Sequence, residues 1–208
     1  MYFSFKRLEI LQSDKITSNE YLKVTFLLSQ LKPIFLSDQT VLNIHLNLAN
    51  QQSADLKGSS LQKLDKNAFN NFNKLKSVDA SFNRFNRIDE ETFKDLENLN
   101  ELDISRNQIL TVLPSFSRLF SLLKLNISFL QISIVHANIL QNLVNLKIID
   151  LSNNYGLTKI EPGLFNELFK LTDIDISSCA LTSIDNYLFK GKIFVFVFKI
   201  LFFKLINY

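Results

Sequence analysis

Apolar positions recur along residues 51–191 with a period too long for one helix or strand. Six segments open at Gln51, Leu75, Leu99, Leu122, Leu146 and Leu171, so the openings stand 23 to 25 residues apart. Each segment repeats the same columns. Ala54, Val78, Leu102, Leu125, Ile149 and Ile174 form one apolar row; Leu56, Ala80, Ile104, Ile127, Leu151 and Ile176 form the next, two residues on. That alternation predicts one short strand per segment, with the strands parallel and about 4.8 Å apart. Leu64, Ile88, Val112, Val135, Ile160 and Ile184 make a third row. A fourth, Phe69, Phe93, Phe116, Leu140, Phe165 and Phe189, predicts a phenylalanine spine on the opposite side. No segment can bury its own apolar edge, so stability must come from stacking on neighbours.

Where the chain leaves each strand, the ninth column needs a polar side chain to bond the turning backbone. Asn83, Asn107 and Asn154 supply it; Cys179 occupies the same column, and Ser59 is a weaker substitute. Leu130 departs from the pattern. An unmet buried group there is expected to cost about 1–3 kcal/mol. Its segment follows the 23-residue one and carries Leu140 in the Phe column, so the middle of the array is the expected irregularity.

The openings LKSVDASFNRF, LNELDISRNQI and LKIIDLSNNYGL resemble the leucine-rich repeat, L-x-x-L-x-L-x-x-N/C-x-L, and the match covers residues 51–191. The resemblance implies an α/β solenoid, a curved horseshoe with a parallel β-sheet on its concave face. It also implies protein recognition rather than catalysis, with no cofactor. The 24-residue period with Phe in the second half is similar to the extracellular class of these repeats, seen in Toll-like receptors and in secreted or adhesion proteins. A fragment of a receptor or adhesion ectodomain at the cell surface is therefore expected, binding a protein ligand on the concave face. The cysteine-rich caps usual in that class are missing, and the start MYFSFKRLEILQSDK does not read as a secretory signal. The alternative is a cytoplasmic leucine-rich-repeat scaffold or regulatory subunit, since reducing compartments do without disulfide caps. Uncapped ends predict self-association.

Composition narrows the classes further. The chain has 23 Lys+Arg against 20 Asp+Glu, and the excess falls in Lys192, Lys199 and Lys204, so residues 1–191 are neutral. Neutrality argues against a nucleic-acid partner, whose affinity comes largely from neutralising phosphates. One cysteine excludes an internal disulfide or a CxxC metal site, and two histidines are few for catalysis.

The two ends depart from the repeat. Residues 1–50 are an irregular region in which Val41–Leu48 alternates and reads as a strand covering the first repeat. From Lys192 the chain becomes KIFVFVFKILFFKLINY. Three readings compete for residues 192–208. A membrane anchor is disfavoured by the interrupting lysines and a length below the ~20 residues needed; membrane association would otherwise require a missing C-terminal part. A terminal strand would set Val195, Phe198, Ile200 and Leu205 on the repeat columns. Translated intron sequence is favoured by the AT-rich codon bias and the abrupt loss of pattern.

Three sets of residues are candidates for function. Between the apolar columns stands an acidic one, Asp55, Asp79, Asp103, Asn126, Asp150 and Asp175, in which Asp79, Asp103 and Asp150 are candidates to receive a basic partner or a cation. The competing reading is that Asp-apolar-Ser is the ordinary text of the repeat. Just before the Asn column come Gly58, Phe82, Arg106, Phe129, Asn153 and Ser178. Phe82, Arg106 and Phe129 come from consecutive strands, which would set Arg106 between two exposed rings, and these are the residue types that dominate interfaces. Against this, 20 of the 208 residues are Phe, and some rings must fall outside. Finally, Asn126-Ile127-Ser128 is a glycosylation sequon, though an Asn-rich chain yields one by chance. His136, beside the third row, reads as a turn residue.

Overall fold

A computed structural model describes residues 52–189, apart from Ser60, Asp65, Asn67, Asn70, Asn71 and Ile109, together with the backbone of 197–199. The alternating positions form β1 (Ser53–Asp55), β3 (Ser77–Asp79), β5 (Glu101–Asp103), β6 (Lys124–Asn126), β8 (Ile148–Asp150), β10 (Asp173–Asp175) and β11 (Val197–Lys199). They pair in chain order as a seven-stranded sheet, and every pairing is parallel. Register follows the columns: Val78 stands opposite Ala54 and Leu102, and Ile149 opposite Leu125 and Ile174. The central residue of each strand from β1 to β10 is buried and its neighbours face outward, as a period of two requires. The fold is a parallel-sheet solenoid.

Behind the sheet the phenylalanine spine is present. Phe69 stacks on Phe93 at 5.9 Å between ring centroids, Phe93 on Phe116 at 6.1 Å, and Phe165 on Phe189 at 5.8 Å. Leu140 fills the gap between the two stacks and is buried, inside a short 3-10 turn at Ala137–Leu140. Offset stacks of this kind add about 0.5–1.5 kcal/mol to the burial of each ring.

The third apolar row holds except in one place. Two-residue strands β2 (Lys63–Leu64) and β4 (Arg87–Ile88) pair with each other, as do β7 (Ile134–Val135) and β9 (Lys159–Ile160). Val112, expected in that row, is instead 73% exposed, while Leu110 is buried and Leu113 packs against the core. The segment there is one residue short, and buried Pro114 has no N–H to offer a ladder. The small rear sheets are consequently separate, one on each side of the interruption.

At the C-terminal end, β11 pairs with β10 and sets Phe198 opposite Ile174. The anticipated strand at Val41–Leu48 and the rest of residues 192–208 lie outside the described residues. No helix among the described residues is long and apolar enough to cross a membrane.

Candidate recognition surface

The ninth column is built around carbonyl groups at the end of each strand. Asn83 Nδ2 donates to the carbonyls of Leu56 and Ala80, Asn107 Nδ2 to those of Ala80 and Ile104, and Asn154 Nδ2 to those of Ile127 and Leu151. Each asparagine so ties its own repeat to the one before. Its Oδ1 accepts a backbone N–H in return, from Leu61, Phe85 and Leu130 respectively. Cys179 does part of the same work: its thiol donates to the Leu151 carbonyl at 3.3 Å. Burial pushes that thiol up to about 11, far from the range of a nucleophile. Ser59 is too short to join the ladder, and its buried Oγ has no hydrogen-bond partner among the described residues.

The strand-end carbonyls beside Leu130 are not left unmet. The two strand-end carbonyls that an asparagine there would bond are reached from either side, Ile104 by Asn107 and Ile127 by Asn154. Leu130 buries its side chain, and its N–H is taken by Asn154.

The acidic column also has a local role. Oδ1 of Asp55, Asp79, Asp103, Asp150 and Asp175 each accepts the backbone N–H two residues ahead, and Asn126 does the same. These are Asx turns, which start the chain away from the strand. Of the three acidic candidates, Asp103 has its second oxygen bonded to Asn126 Nδ2, while Oδ2 of Asp79 lies 3.9 Å from Lys57 Nζ. Asn126 is half-buried in the middle of the sheet, and the nitrogen that a glycan would modify is the one given to Asp103.

The column between these two behaves differently. Gly58, Phe82, Arg106, Phe129, Asn153 and Ser178 all have positive φ, between 53° and 65°. Glycine and asparagine tolerate this left-handed conformation; for a bulky L-residue it costs roughly 1–2 kcal/mol. Three consecutive repeats nevertheless place Phe, Arg and Phe there. Their backbones are held in line because Phe82, Arg106 and Phe129 each donate N–H to the serine carbonyl of the next repeat, at 3.0–3.1 Å. The side chains stack: the Arg106 guanidinium carbon lies 4.9 Å from the Phe82 ring centroid and 3.9 Å from that of Phe129. Lys57 Nζ caps the far side of Phe82 at 5.2 Å. Phe82 is 49% exposed and Arg106 is exposed. The predicted column is thus brought together as one stack at the C-terminal ends of the strands.

A second surface escaped the column reading. Phe120, Val144 and Phe169 each stand two residues before a segment opening, and all are exposed, Phe169 at 77%. The same column holds Asn73 and Glu97 in the earlier repeats, so its apolar character is confined to the second half. Comparing segments backward from their opening leucines would have revealed it.

His136 lies at the start of the 3-10 turn, with its Nδ1 3.2 Å from Glu161 Oε1. The Ala137 N–H donates to the other oxygen, and these two bonds hold the Glu161 carboxyl below its ordinary value. No group of three or more metal-binding side chains occurs among the described residues.

The repeats, their parallel sheet and the asparagine ladder together make a solenoid of the leucine-rich-repeat type. The leucine-rich-repeat family profile matches residues 52–109 and 73–132. The chain resembles Toll-like receptors: it is 32% identical over 112 residues to Toll-like receptor 4 of Bos taurus, which takes in 53% of this chain and 13% of that receptor. Among solved structures it is similar to TLR13 in a complex with ssRNA13, with a TM-score of 0.57 and 21% identity over 76% of this chain and 26% of that one. The chain thus spans a small part of the length of the proteins it matches. The likeness supports a module that recognises a ligand.

Proposed function

We propose that this chain is a piece of an extracellular receptor or adhesion protein that recognises a protein ligand. The contact would lie along the open sheet face and the strand ends beside it. The observation that carries this reading is the Phe82–Arg106–Phe129 stack, which occupies backbone positions where bulky side chains are strained. Strain kept at three adjacent repeats, where Gly58 and Asn153 show the easier choices, points to selection for the surface rather than for stability. Aromatic rings and arginine are the side chains on which interface affinity concentrates.

Single-stranded RNA is the alternative raised by the TLR13 complex. Charge disfavours it. Residues 1–191 are neutral, and the face beside the stack carries Asp79, Asp103 and Asp150, which repel a phosphate chain. The full chain, displayed with a supplied secretion signal and probed against an array of purified secreted proteins, should retain at least one of them. Arg106→Ala and Phe129→Ala should each weaken that binding while His136→Ala, on the rear side, leaves it intact. Equal binding by all variants would remove the stack from the interface.

A further inference from the structure

The Arg106 guanidinium packs against two aromatic rings and meets no carboxylate among the described residues. Its carbon lies 4.9 Å from the Phe82 ring centroid and 3.9 Å from that of Phe129. The carboxylates of the neighbouring acidic column are occupied: Asp103 bonds Ser105 and Asn126, and Asp79 bonds Ser81 and lies beside Lys57. No ion pair or side-chain hydrogen bond to Arg106 occurs among the described residues. Its five N–H donors, fixed in one plane, are therefore without a protein acceptor among the described residues, on a side chain that is exposed. An arginine in this setting has already lost much of the side-chain freedom that binding removes, and its planar edge matches an oxyanion through two parallel hydrogen bonds. The serine carbonyls that anchor the backbones of Phe82, Arg106 and Phe129 keep the clamp in register.

Resting on the reading above that the stack is an interface, we propose that Arg106 is a preformed fork for a carboxylate, and that the ligand presents there an aspartate or glutamate flanked by apolar groups. The flanking chemistry follows from the rings: whatever carries the carboxylate to the guanidinium edge must pass over Phe82 or Phe129. A single carboxylate is favoured over a phosphate chain because the next column is acidic and a polyanion would have to run along it. The second nearby cation is Lys57, on the far side of Phe82 and already facing Asp79.

A library of displayed random dodecamer peptides, selected on the full chain and counter-selected on its Arg106→Gln variant, tests the assignment. Recovered peptides should carry an acid beside aliphatic or aromatic residues. For a synthetic peptide from that set, replacing the acid by its amide should weaken binding about tenfold, as loss of a charge-assisted pair does. Arg106→Lys, which keeps the charge but not the fork, should weaken it to a similar degree. The amide peptide should bind the Arg106→Gln variant no worse than it binds the wild type, because the lost interaction is then the same one. Binding that Arg106→Lys leaves unchanged would show that only charge matters and overturn the fork. Acid-independent peptides that still require Phe82 and Phe129 would overturn the carboxylate while leaving the interface standing. A single-stranded RNA oligonucleotide or inorganic phosphate bound by the wild type and lost in Arg106→Gln would reassign the site to phosphate. Loss of every patch effect in the secreted-protein array would overturn the interface itself.

Discussion

Two columns that adjoin in the chain at every repeat follow opposite rules. Asn83, Asn107 and Asn154 are buried and satisfy the strand-end carbonyls of two repeats each. One residue earlier, Phe82 and Arg106 are exposed and Phe129 is half-buried, all three in a left-handed backbone conformation that their side chains do nothing to ease. In the first column the residue type answers a demand of the backbone; in the second it is kept against one. The difference separates what holds the solenoid together from what the solenoid displays.

Removing a ladder asparagine should have the largest effect. Asn107→Ala would leave the Ile104 carbonyl and the Phe85 N–H without the side chain that serves them, because Leu130 cannot substitute. A loss of roughly 3 kcal/mol is expected from two unmet buried groups, read by urea unfolding. A loss below about 1 kcal/mol would mean that water enters the turn and that the ladder is less decisive than its geometry suggests.

High pH should act next, through the thiol in the same column. Folding raises the Cys179 thiol from 9.0 to about 11, so the folded state keeps a proton that the unfolded chain gives up. This contribution is fully present below pH 9 and is lost as the pH rises to 11, so stability should fall across that window. Cys179→Ala should flatten this part of the profile. At neutral pH the same substitution should change stability by only about 1 kcal/mol or less, because Asn154 still serves the Leu151 carbonyl.

Relieving the strained column should produce a change of the opposite sign. Phe82→Asn and Phe129→Asn put a residue that tolerates positive φ where a phenylalanine stands. Each is expected to gain up to about 1 kcal/mol in thermal unfolding, since relief of strain exceeds the exposed cation–π contact it forfeits. Binding through the stack should be lost in the same variants. A drop in both stability and binding would show that the rings support the fold and would erase the contrast between the columns.

The smallest effect lies on the rear side. The Ala137 N–H and His136 hold the Glu161 carboxyl below its ordinary 4.5, so the stability it adds is present above that value and fades as pH falls through the lowered one. Glu161 is half-buried at the rear surface, where water screens the pair, and Glu161→Gln should only slightly reduce the acid sensitivity of unfolding, with no effect on binding by the stack. A large effect would place the 3-10 turn among the determinants of the fold.

Much of this architecture can be read from residue order because each repeat poses the same problem. The period, the strand positions and their register follow from which residues must be inside, and a register slip would turn every apolar row to solvent. The phenylalanine spine and the asparagine column are legible for the same reason, since identical environments select identical side chains. Reading by column failed where the environments stop being identical. Val112 fell outside the core because a segment one residue short cannot keep all its rows in phase. Leu130 leaves neither strand-end carbonyl unmet because hydrogen bonds reach across repeats, and no single repeat contains the information that its neighbours supply both donors.

The stack shows where the division falls. Residue order alone determined that Phe82, Arg106 and Phe129 share a column and come from consecutive strands. Only the tertiary structure decided that their backbones are left-handed and that Arg106 packs against both rings with no polar partner among the described residues. Backbone handedness follows from where each turn must go to reach the next strand, and the partners of a side chain follow from neighbours some 23 or 24 residues away. Burial leaves a periodic mark on a sequence. Strain and unmet donors leave none.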